Sequence, residues 1–391
     1  MNPSVLIVPS WYPSADNPTA GVFVKQQVIA LRDAGVAVAV LVEEDRADTA
    51  SLLTDEDGVL TVRYSSGLGA LPGAFRKARL ASVVLQSVLG IGYAPARRAF
   101  AVLEEAGFKP DIIHVHALWP AAIGARSISS RTGIPFVVTE HSEEYSAGTE
   151  RKLIRTPGML PLVLRPLARR ASAYIAPSRS AADRLVRLGL SDSVQVIPNV
   201  VPTRQPAPWT TNEVKHIVHV SLLSPSKNLS LLLQAIARLR ERRDNFILDI
   251  AGDGHNRKAV EAFASGLGLA DSVVFHGRAT TEEVNAFLDG AVCGVITSNH
   301  ETFSVFAVEC LMAGRPVVAT RCGGPEEFIT SEVGVLVERG DLEGLVEALD
   351  AMLDRYVNFS PHELNAYATS LFSPQVVVEK LLDIYEAVLG I

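Results

Sequence analysis

The sequence is poor in cysteine, and this scarcity excludes a whole class of protein. It contains only three cysteines, Cys293, Cys310 and Cys322, and their spacing is not that of paired metal ligands. An odd number of cysteines cannot form a closed set of disulfides, so a disulfide-stabilised secreted domain is not expected. We expect three buried thiols in a reducing compartment.

The sequence also lacks a leader and a membrane-spanning stretch. Strand-like residues 5–8 (VLIV) begin almost at the first residue, so we expect no signal peptide. The longest uncharged run, residues 80–96, contains serine, glutamine, glycine and proline. It is shorter than the roughly 20 apolar residues that a membrane span requires. We expect a cytoplasmic protein, with any membrane contact confined to the inner surface.

Several catalytic and metal-binding motifs are missing. The sequence has no G-x-x-x-x-G-K-[ST] loop and no G-x-S-x-G nucleophile elbow. Asp55-Glu56-Asp57 has the form of a metal-binding D-x-D motif, but it follows no convincing strand, so we interpret it as a surface loop. His114 and His116 share one face of a strand, but no further metal ligands can be placed beside them. We therefore predict no metal site, and we interpret the histidine pair as structural, with His116 as a candidate lining residue of an acceptor pocket.

The charges that are present lie unevenly along the chain. The net charge is −7, yet residues 1–198 carry 21 Lys/Arg against 18 Asp/Glu, while the remainder carries 15 against 25. Two acid-free stretches, residues 58–103 and 151–182, hold many of the basic side chains. Basic amphipathic segments of this kind bind anionic lipid surfaces, although solvated helix faces are the alternative. Nucleic acid is not expected, because no recognition motif accompanies them.

Strand-like and helix-like segments alternate along all 391 residues, a length sufficient for two domains. Many strand candidates are continuous Val/Ile/Leu runs, as in parallel sheets covered by helices on both faces. The proline-rich residues 198–212 are interpreted as a linker. We predict an α/β fold with two Rossmann-like, doubly wound parallel-sheet domains: residues 1–200 with a returning helix at 374–391, and residues 213–373. The predicted strands cover residues 4–9, 36–43, 60–64, 111–116, 135–139, 173–176, 194–197, 216–220, 246–251, 273–276, 291–297 and 316–320.

The strongest candidate site follows the apolar strand at residues 291–297. Glu301 lies in the loop between this strand and a helix, which is where ligands bind in open α/β sheets. Glu309 projects from the helix about a turn and a half further along. The first turn of a helix offers free backbone amides to an anion, and here those amides belong to Thr302, Phe303 and Ser304. Carboxylates beside an anion-binding helix end suit a ligand with both phosphates and hydroxyls, such as a nucleotide-sugar.

Several motifs resemble one known family. E-x7-E from Glu301 to Glu309, the turn Ala313-Gly314, the strand P-V-V-A-T and the run G-G-P-E together resemble the donor-binding core of the retaining GT-B glycosyltransferases of family four. N-P-x-x-G-x-F-V-x-x-Q from Asn17 resembles the first loop of the same family, and A-G-D-G at 251–254 resembles a later one. The resemblance covers nearly the whole chain and is strongest from residue 227 onward. It implies a GT-B fold, with an N-terminal acceptor-side domain and a C-terminal donor domain facing a cleft.

The resemblance also implies a reaction. The chain is expected to move a sugar with retention of configuration from a UDP- or GDP-sugar to an acceptor hydroxyl, without a cofactor or an obligatory metal. The implied acceptor is a glycan or a lipid-linked molecule in cell-surface polysaccharide or glycoconjugate synthesis. Two alternatives stay open: a nucleotide-sugar epimerase of GT-B fold, and a non-catalytic nucleotide-sugar-binding protein. The sequence predicts neither the base, the sugar and the acceptor nor the oligomeric state.

The resemblance assigns roles to individual residues. Lys227, whose charge near a helix start is unfavourable unless it faces an anion, would stabilise the leaving diphosphate together with the helix amides. Glu301 would hold sugar hydroxyls and Glu309 the ribose diol. His141 has a pKa class suited to proton handling and would assist at the acceptor side. The remaining implied contacts are a base-side residue and a backbone approach to phosphate or sugar, at Arg278 and Gly21 respectively; from the residues alone, an ordinary strand-to-helix turn explains Gly21 equally well.

One position departs from the family pattern. Similar enzymes carry an arginine five residues before the lysine, where this sequence has Leu222. A second cation for the diphosphate is therefore missing. Arg321, at the end of the next strand, is our candidate substitute, because a bidentate guanidinium can reach a phosphate that leucine cannot bind. An exposed arginine without that role is the alternative.

Overall fold

The computed structural model describes residues 2–44, 51–65, 93–141, 158–209 and 213–391. The chain divides into two compact units: unit 1 comprises Met1–Val200 with Pro374–Ile391, and unit 2 comprises Val201–Ser373. Parts of the two acid-free stretches on which the membrane expectation depends, residues 66–92 and 151–157, lie outside the described residues. Within the described ranges, no helix combines the length and the apolar character needed to cross a bilayer.

Unit 1 is built on an eight-stranded sheet with the order β3-β4-β2-β1-β5-β6-β7-β8. All neighbouring strands are parallel except β3 and β4, which form an antiparallel hairpin. The strands are β1 (Val5–Pro9), β2 (Val38–Glu43), β3 (Leu52–Glu56), β4 (Val59–Tyr64), β5 (Ile112–His116), β6 (Phe136–Thr139), β7 (Ala173–Ala176) and β8 (Gln195–Val196). The helices are α1 (Val22–Asp33), α2 (Ala94–Glu105), α3 (Ala121–Thr132), α4 (Arg165–Ala168), preceded by a π-helical turn at Met159–Leu164, α5 (Arg179–Arg187) and the C-terminal helix (Pro374–Leu389).

The apolar strands of unit 1 are buried because helices cover both faces of the sheet. Every residue of β1 is buried. On one face, α1 and the C-terminal helix pack through residues that recur at helical spacing, including Leu31, Leu381 and Tyr385. The interpretation of Asp55-Glu56-Asp57 as a loop is wrong in part, because Asp55 and Glu56 belong to β3. Acidic residues are poor strand formers, so cross-strand pairing with β4 outweighs the local preference.

Unit 2 carries a six-stranded parallel sheet with the order β11-β10-β9-β12-β13-β14. Its strands are β9 (Lys215–Val220), β10 (Phe246–Ala251), β11 (Val273–Gly277), β12 (Ala291–Ile296), β13 (Val317–Thr320) and β14 (Gly334–Val337), the last of which was not predicted. Its helices are α6 (Leu229–Arg240), α7 (Arg257–Gly266), α8 (Thr281–Gly290), α9 (Val305–Met312), α10 (Leu342–Arg355) and α11 (Pro361–Phe372). Cys293, Cys310 and Cys322 are buried free thiols in this unit, as predicted.

Both sheets reverse their winding direction at an internal point. In unit 1 the reversal lies between β1 and β5, and in unit 2 it lies between β9 and β12. The loops that leave the carboxyl ends of these strand pairs diverge, which opens a crevice for a ligand in doubly wound sheets. Of the sequence-predicted site residues, Gly21, Lys227 and Glu301 lie in the segments that follow β1, β9 and β12.

The second half of the proline-rich segment is docked on unit 2. Arg315 is fully buried, and its guanidinium donates hydrogen bonds to five backbone carbonyls, two of them from Ala207 and Pro208. The same guanidinium lies 4.5 Å from the ring centroid of Trp209. Burial of an arginine is favourable only when its donors are satisfied, and this segment supplies part of that satisfaction. The segment thus contributes to the core of unit 2.

Candidate functional site

The loop after β12 holds Glu301 in a fixed backbone position. Its amide donates to the Cys322 carbonyl at 2.7 Å, and its carbonyl accepts from the Gly324 amide at 3.0 Å. This single parallel bridge ties the loop after β12 to the loop after β13. The Glu301 side chain is buried as a result, at the edge of the sheet where the winding reverses.

Lys227 and Glu301 form an ion pair. Lys227 ends a short 3-10 turn at Pro225–Lys227 after β9, and its Nζ lies 2.8 Å from Glu301 Oε1. Ser298 Oγ donates to the same carboxylate oxygen at 2.6 Å, and Thr297 donates to the Lys227 carbonyl at 3.1 Å. Both charged side chains are largely buried, so each charge depends on the other for compensation. Two residues that the sequence assigned separately, 74 positions apart, therefore meet at the reversal point.

The start of α9 presents free backbone donors next to this pair. Ser304 precedes the helix with φ of 75° and ψ of 84°, a conformation that residues other than glycine rarely adopt. Within the described chain, no group accepts a hydrogen bond from the amide of Phe303 or Ser304. The Phe303 side chain does not face a ligand: it is buried against Phe328 and Phe372 and anchors the loop. Only backbone contacts remain available to a ligand at Phe303.

Glu309 differs from Glu301 in having no partner in the described part of the chain. Among the described residues, no side chain or backbone group donates to its carboxylate. The side chain is half-buried on α9, and burial raises the pKa of Glu309 to about 7. A desolvated carboxylate without a donor gains most from a ligand that supplies hydroxyl groups.

The glycines of the A-G-D-G segment have a packing role. Gly252 has a φ of 138°, and a Cβ there would overlap with the Ser221 carbonyl oxygen. The Leu223 amide donates to the Asp253 carbonyl at 2.9 Å, so the loops after β9 and β10 are fastened together. Asp253 also lies 3.4 Å from the Nε of Arg278, the predicted base-side residue, which is exposed at the end of β11.

The two residues considered for the second cation lie in different surroundings. Leu222 is 64% exposed, and its apolar side chain cannot bind a phosphate. Arg321 is also exposed, but its guanidinium is paired, with Nε 3.0 Å from Glu338 and Nη1 3.7 Å from Glu326. These carboxylates occupy Arg321 and weaken its candidacy as the substitute for an arginine at position 222.

In unit 1, Gly21 lies at the start of α1 with φ of 64°. A Cβ at this position would overlap with the Trp11 carbonyl oxygen, so only glycine fits. The close approach of the loop after β1 accounts for this residue without a ligand. The assignment of Gly21 to a phosphate or sugar contact remains a prediction.

His141 belongs to a buried group of three histidines. His114 and His116 extend from one face of β5, and His141 follows β6. His116 Nδ1 lies 2.9 Å from His141 Nε2, and the two rings stack with an interplanar angle of 9°. Burial lowers the pKa of His114 and His141 to about 3, and it lowers the pKa of His116 still more strongly. The group is therefore neutral at physiological pH, which argues against His141 as a proton acceptor.

Two side chains that the sequence did not single out complete this group. Gln27 of α1 places its Nε2 3.3 Å from His116 Nε2 and 3.5 Å from His114 Nδ1. Tyr385 of the C-terminal helix places its hydroxyl 2.6 Å from His114 Nδ1. A polar residue inside an apolar helical stripe was the available signal, since Gln27 lies between Val24 and Val28, which pack in the same core. No such signal links Tyr385 to a histidine 271 positions away.

Metal binding was also considered for the described residues. Within them, no group of three or more His, Cys, Asp or Glu side chains is arranged to hold a metal ion. The histidines of unit 1 bond to one another and to their neighbours instead.

Two family models match adjoining parts of the chain. The model described as Glycosyltransferase Family 4 matches residues 20–205, and the model described as Glycosyl transferases group 1 matches residues 203–370. The second match contains Lys227, Glu301 and Glu309. The two matches together run across both units.

Relatives and solved structures agree with these models. The MMP alpha-(1->4)-mannosyltransferase of Mycolicibacterium hassiacum is 29% identical over 313 residues, covering 74% of this chain and 73% of that protein. The sulfoquinovosyl transferase SQD2 of Arabidopsis thaliana is 27% identical over 273 residues, covering 64% of this chain and about half (51%) of its own length. HepE from Anabaena, solved in complex with UDP and glucose, aligns over 99% of this chain and 100% of its own with a TM-score of 0.74 and 16% identity. This last likeness shows the fold.

Proposed function

Since the chain belongs to the group 1 and family 4 glycosyltransferases and has their GT-B fold, we propose that it transfers a sugar with retention of configuration from a UDP- or GDP-sugar to an acceptor hydroxyl. One observation carries the proposal. The buried Lys227–Glu301 pair lies at the reversal point of the unit 2 sheet, beside the amides of Phe303 and Ser304, which have no acceptor among the described residues. A diphosphate and a sugar are the ligands whose charges and hydroxyls match this arrangement.

Each donor-side group has a separate task. The Lys227 ammonium has three donor positions, so it can keep its bond to Glu301 and also bind a phosphate oxygen. The amides of Phe303 and Ser304 stabilise the charge that develops on the leaving diphosphate. Glu301 orients sugar hydroxyls, and Glu309 accepts hydrogen bonds from the ribose diol. Arg278 contacts the base. Together these groups supply positive charge at the diphosphate without an obligatory metal ion.

The proposed chemistry follows from these positions. The bond between the sugar C1 and the diphosphate oxygen breaks, and its electron pair leaves with the diphosphate. The acceptor oxygen forms a new bond to C1 on the same face, and its proton passes to the departing phosphate oxygen. We assign no covalent nucleophile. His141 takes part on the acceptor side as a neutral ring.

The first experiment identifies the donor by thermal stabilisation. UDP-, GDP- and ADP-sugars are screened with and without a chelator, since a ligand at 100 times its Kd adds about 2.7 kcal/mol of stability. We expect one nucleotide-sugar to raise the melting temperature equally in both conditions. Glu309→Gln should weaken this shift, while Glu343→Gln, a matched change at an exposed glutamate of α10, should not.

The second experiment tests the reaction with the stabilising donor. Candidate glycan and lipid-linked acceptors are supplied, and the anomeric configuration of the product is read by NMR. A product of inverted configuration would reject retention. A changed nucleotide-sugar formed without any acceptor would identify an epimerase, and binding without turnover of any acceptor would identify a sensor.

The acceptor is proposed to be a glycan or a lipid-linked molecule at the inner membrane surface. On unit 1, a groove of about 430 Å³ between α2 and α3 is lined by arginines that have no carboxylate partner among the described residues: Arg97, Arg98 and Arg131. Leu162, in the π-helical turn before the basic α4, is 65% exposed. Apolar and cationic groups together favour binding to an anionic bilayer.

Vesicle binding tests this surface. The protein should sediment with phosphatidylglycerol vesicles, not with phosphatidylcholine vesicles, and salt should release it. A triple change of the groove arginines to glutamine should abolish sedimentation. The same change at three arginines elsewhere, Arg187, Arg238 and Arg355, removes equal charge and should not. Equal binding to both vesicle types would remove the membrane proposal.

A further inference from the structure

The histidine group of unit 1 determines where each of its protons lies. An amide nitrogen donates hydrogen bonds and does not accept them. Gln27 Nε2 lies 3.3 Å from His116 Nε2, so that ring nitrogen is the acceptor. A neutral imidazole carries one proton, and in His116 this proton is therefore on Nδ1.

The position of the proton on His116 in turn determines which ring nitrogen of His141 is protonated. His116 Nδ1 lies 2.9 Å from His141 Nε2, so the N–H of His116 donates to that atom. Because Nε2 of His141 accepts, the single proton of a neutral His141 is on Nδ1. The burial of all three rings keeps them neutral, since an additional proton would place uncompensated charge in the core.

The contacts of His114 agree with this orientation of the Gln27 amide. His114 Nδ1 receives the Tyr385 hydroxyl at 2.6 Å, and it also faces Gln27 Nε2 at 3.5 Å. Its Nε2 donates to the hydroxyl oxygen of Thr139 at 2.7 Å. The single lone pair of His114 Nδ1 accepts from Tyr385, so among these rings only His116 receives a hydrogen bond from the Gln27 amide. The reverse orientation would place the Gln27 oxygen against the acceptor nitrogen of His114.

We infer that Gln27 and His116 are positioning residues that hold His141 in the tautomer with its proton on Nδ1, and that sugar transfer requires this tautomer. The inference rests on the proposed participation of His141 in the reaction. It changes the chemistry of that participation. His141 serves as a neutral N–H donor to a substrate oxygen, and its Nε2 is already engaged and takes no proton from the acceptor.

Nitrogen NMR reads the tautomer directly, because the protonated and unprotonated ring nitrogens of histidine have different ¹⁵N shifts. The His141 signals are assigned by their loss in His141→Asn. In the wild-type protein we expect the proton on Nδ1. Gln27→Met removes the donor with little change in volume, so His116 is no longer held in one form and His141 should become a mixture of tautomers.

Kinetics then connect the tautomer to turnover. For Gln27→Met we expect kcat to fall at least tenfold, with the donor KM and the nucleotide Kd unchanged, because the donor binds residues of unit 2. His116→Asn retains an N–H that can donate to His141 and should keep both the tautomer and most of the activity, whereas His116→Leu should lose both. Gln195→Met, the same change at an exposed position of β8, is the control.

Three results would overturn the inference. In the first, His141 of the wild-type protein is protonated on Nε2. In the second, Gln27→Met has mixed tautomers and full kcat. In the third, a variant has a reduced kcat and an unchanged tautomer. A wild-type protein that transfers no sugar would instead contradict the proposed function, and the NMR result would still decide the tautomer.

Discussion

The two units place buried polar groups at corresponding points of their sheets, but the electrostatics are opposite. At the reversal point of unit 1, three imidazoles are neutral; His116 is hydrogen-bonded to His141 and stacks on His114. At the reversal point of unit 2, a buried ammonium and a buried carboxylate compensate each other. The same topology therefore supports two kinds of site. This contrast is in keeping with the proposed roles, a ligand that changes its charge on unit 2 and neutral hydroxyl oxygens on unit 1.

Acidification should have the largest effect on the two units, because it destabilises unit 1 through its neutral histidines. Each ring of the unit 1 group has a lowered pKa, so the unfolded chain takes up protons below about pH 6.5 that the folded unit refuses. Stability is present at neutral pH and is lost as the pH falls. Each ring that stays neutral in the folded state lowers the free energy of unfolding by about 2 kcal/mol at pH 5 relative to pH 7. Three such rings lower it by several kcal/mol.

The stability of unit 2 should change less with pH, because the pKa shifts of its groups have opposite signs. Burial lowers the pKa of His219 to about 4, while Asp249 raises the pKa of His216 and burial raises that of Glu309. Trp209 is the single tryptophan of unit 2, so its fluorescence in a Trp11→Phe/Trp119→Phe background reports on that unit. Between pH 7 and pH 5 unit 1 should unfold first. Unfolding of both units at one pH would contradict this.

The second-largest effect is expected when the charge of Lys227 is removed from unit 2. Lys227→Met leaves the Glu301 carboxylate buried without its cation, and we expect a loss of about 3–5 kcal/mol in the free energy of unfolding. Urea denaturation followed by Trp209 fluorescence measures it. The double variant Lys227→Met/Glu301→Gln should regain most of the loss while remaining inactive. A double variant no more stable than the single one would show that the pair is not the cause.

Neutralisation of Glu309 tests how a second buried carboxylate of unit 2 affects stability and nucleotide binding. Its raised pKa means that the folded state is stabilised at acid pH, and this contribution is lost as the pH rises through about 7. Glu309→Gln should therefore be more stable than the wild type at pH 8 by about 1–3 kcal/mol, with no difference at pH 4. It should also bind the nucleotide more weakly at pH 8. Thermal melting with and without nucleotide tests both statements.

The smallest effect is expected at Arg321. Its guanidinium is exposed and bound by Glu338 and Glu326, and exposed pairs contribute at most about 1 kcal/mol. Arg321→Ala should change turnover by less than about twofold. A loss of tenfold or more, about 1.4 kcal/mol of barrier, would restore Arg321 as the second cation, especially if Leu222→Arg recovered it.

The sequence predicted most strands and the chain segments of the unit 2 site, because both depend on local patterns. Val/Ile/Leu runs mark parallel strands, and the carboxyl ends of strands mark ligand loops. The pairing of Lys227 with Glu301 could not be derived, since it depends on which strands become neighbours. Two strands were missed: acidic β3 is stabilised by cross-strand pairing, and β14 is an edge strand that begins with a glycine, a poor strand former.

The histidine group shows the same limit more clearly. The shared face of His114 and His116 follows from strand periodicity, but their neutrality depends on helices that cover them. Gln27 and Tyr385 reach the group from opposite ends of the chain. A pattern within one segment carries no information about such partners.

The position of the C-terminal helix in the chain affects how the protein folds during its synthesis on the ribosome. Val377, Val378, Leu381 and Tyr385 close one apolar face of unit 1, yet they are synthesised only after the whole of unit 2. The nascent chain can complete the inserted unit while the earlier one still exposes the sheet surface that this helix covers. During that interval the uncovered face is a binding site for chaperones and a point of aggregation. A helix that is translated after unit 2 thus completes unit 1, most of which was translated before it.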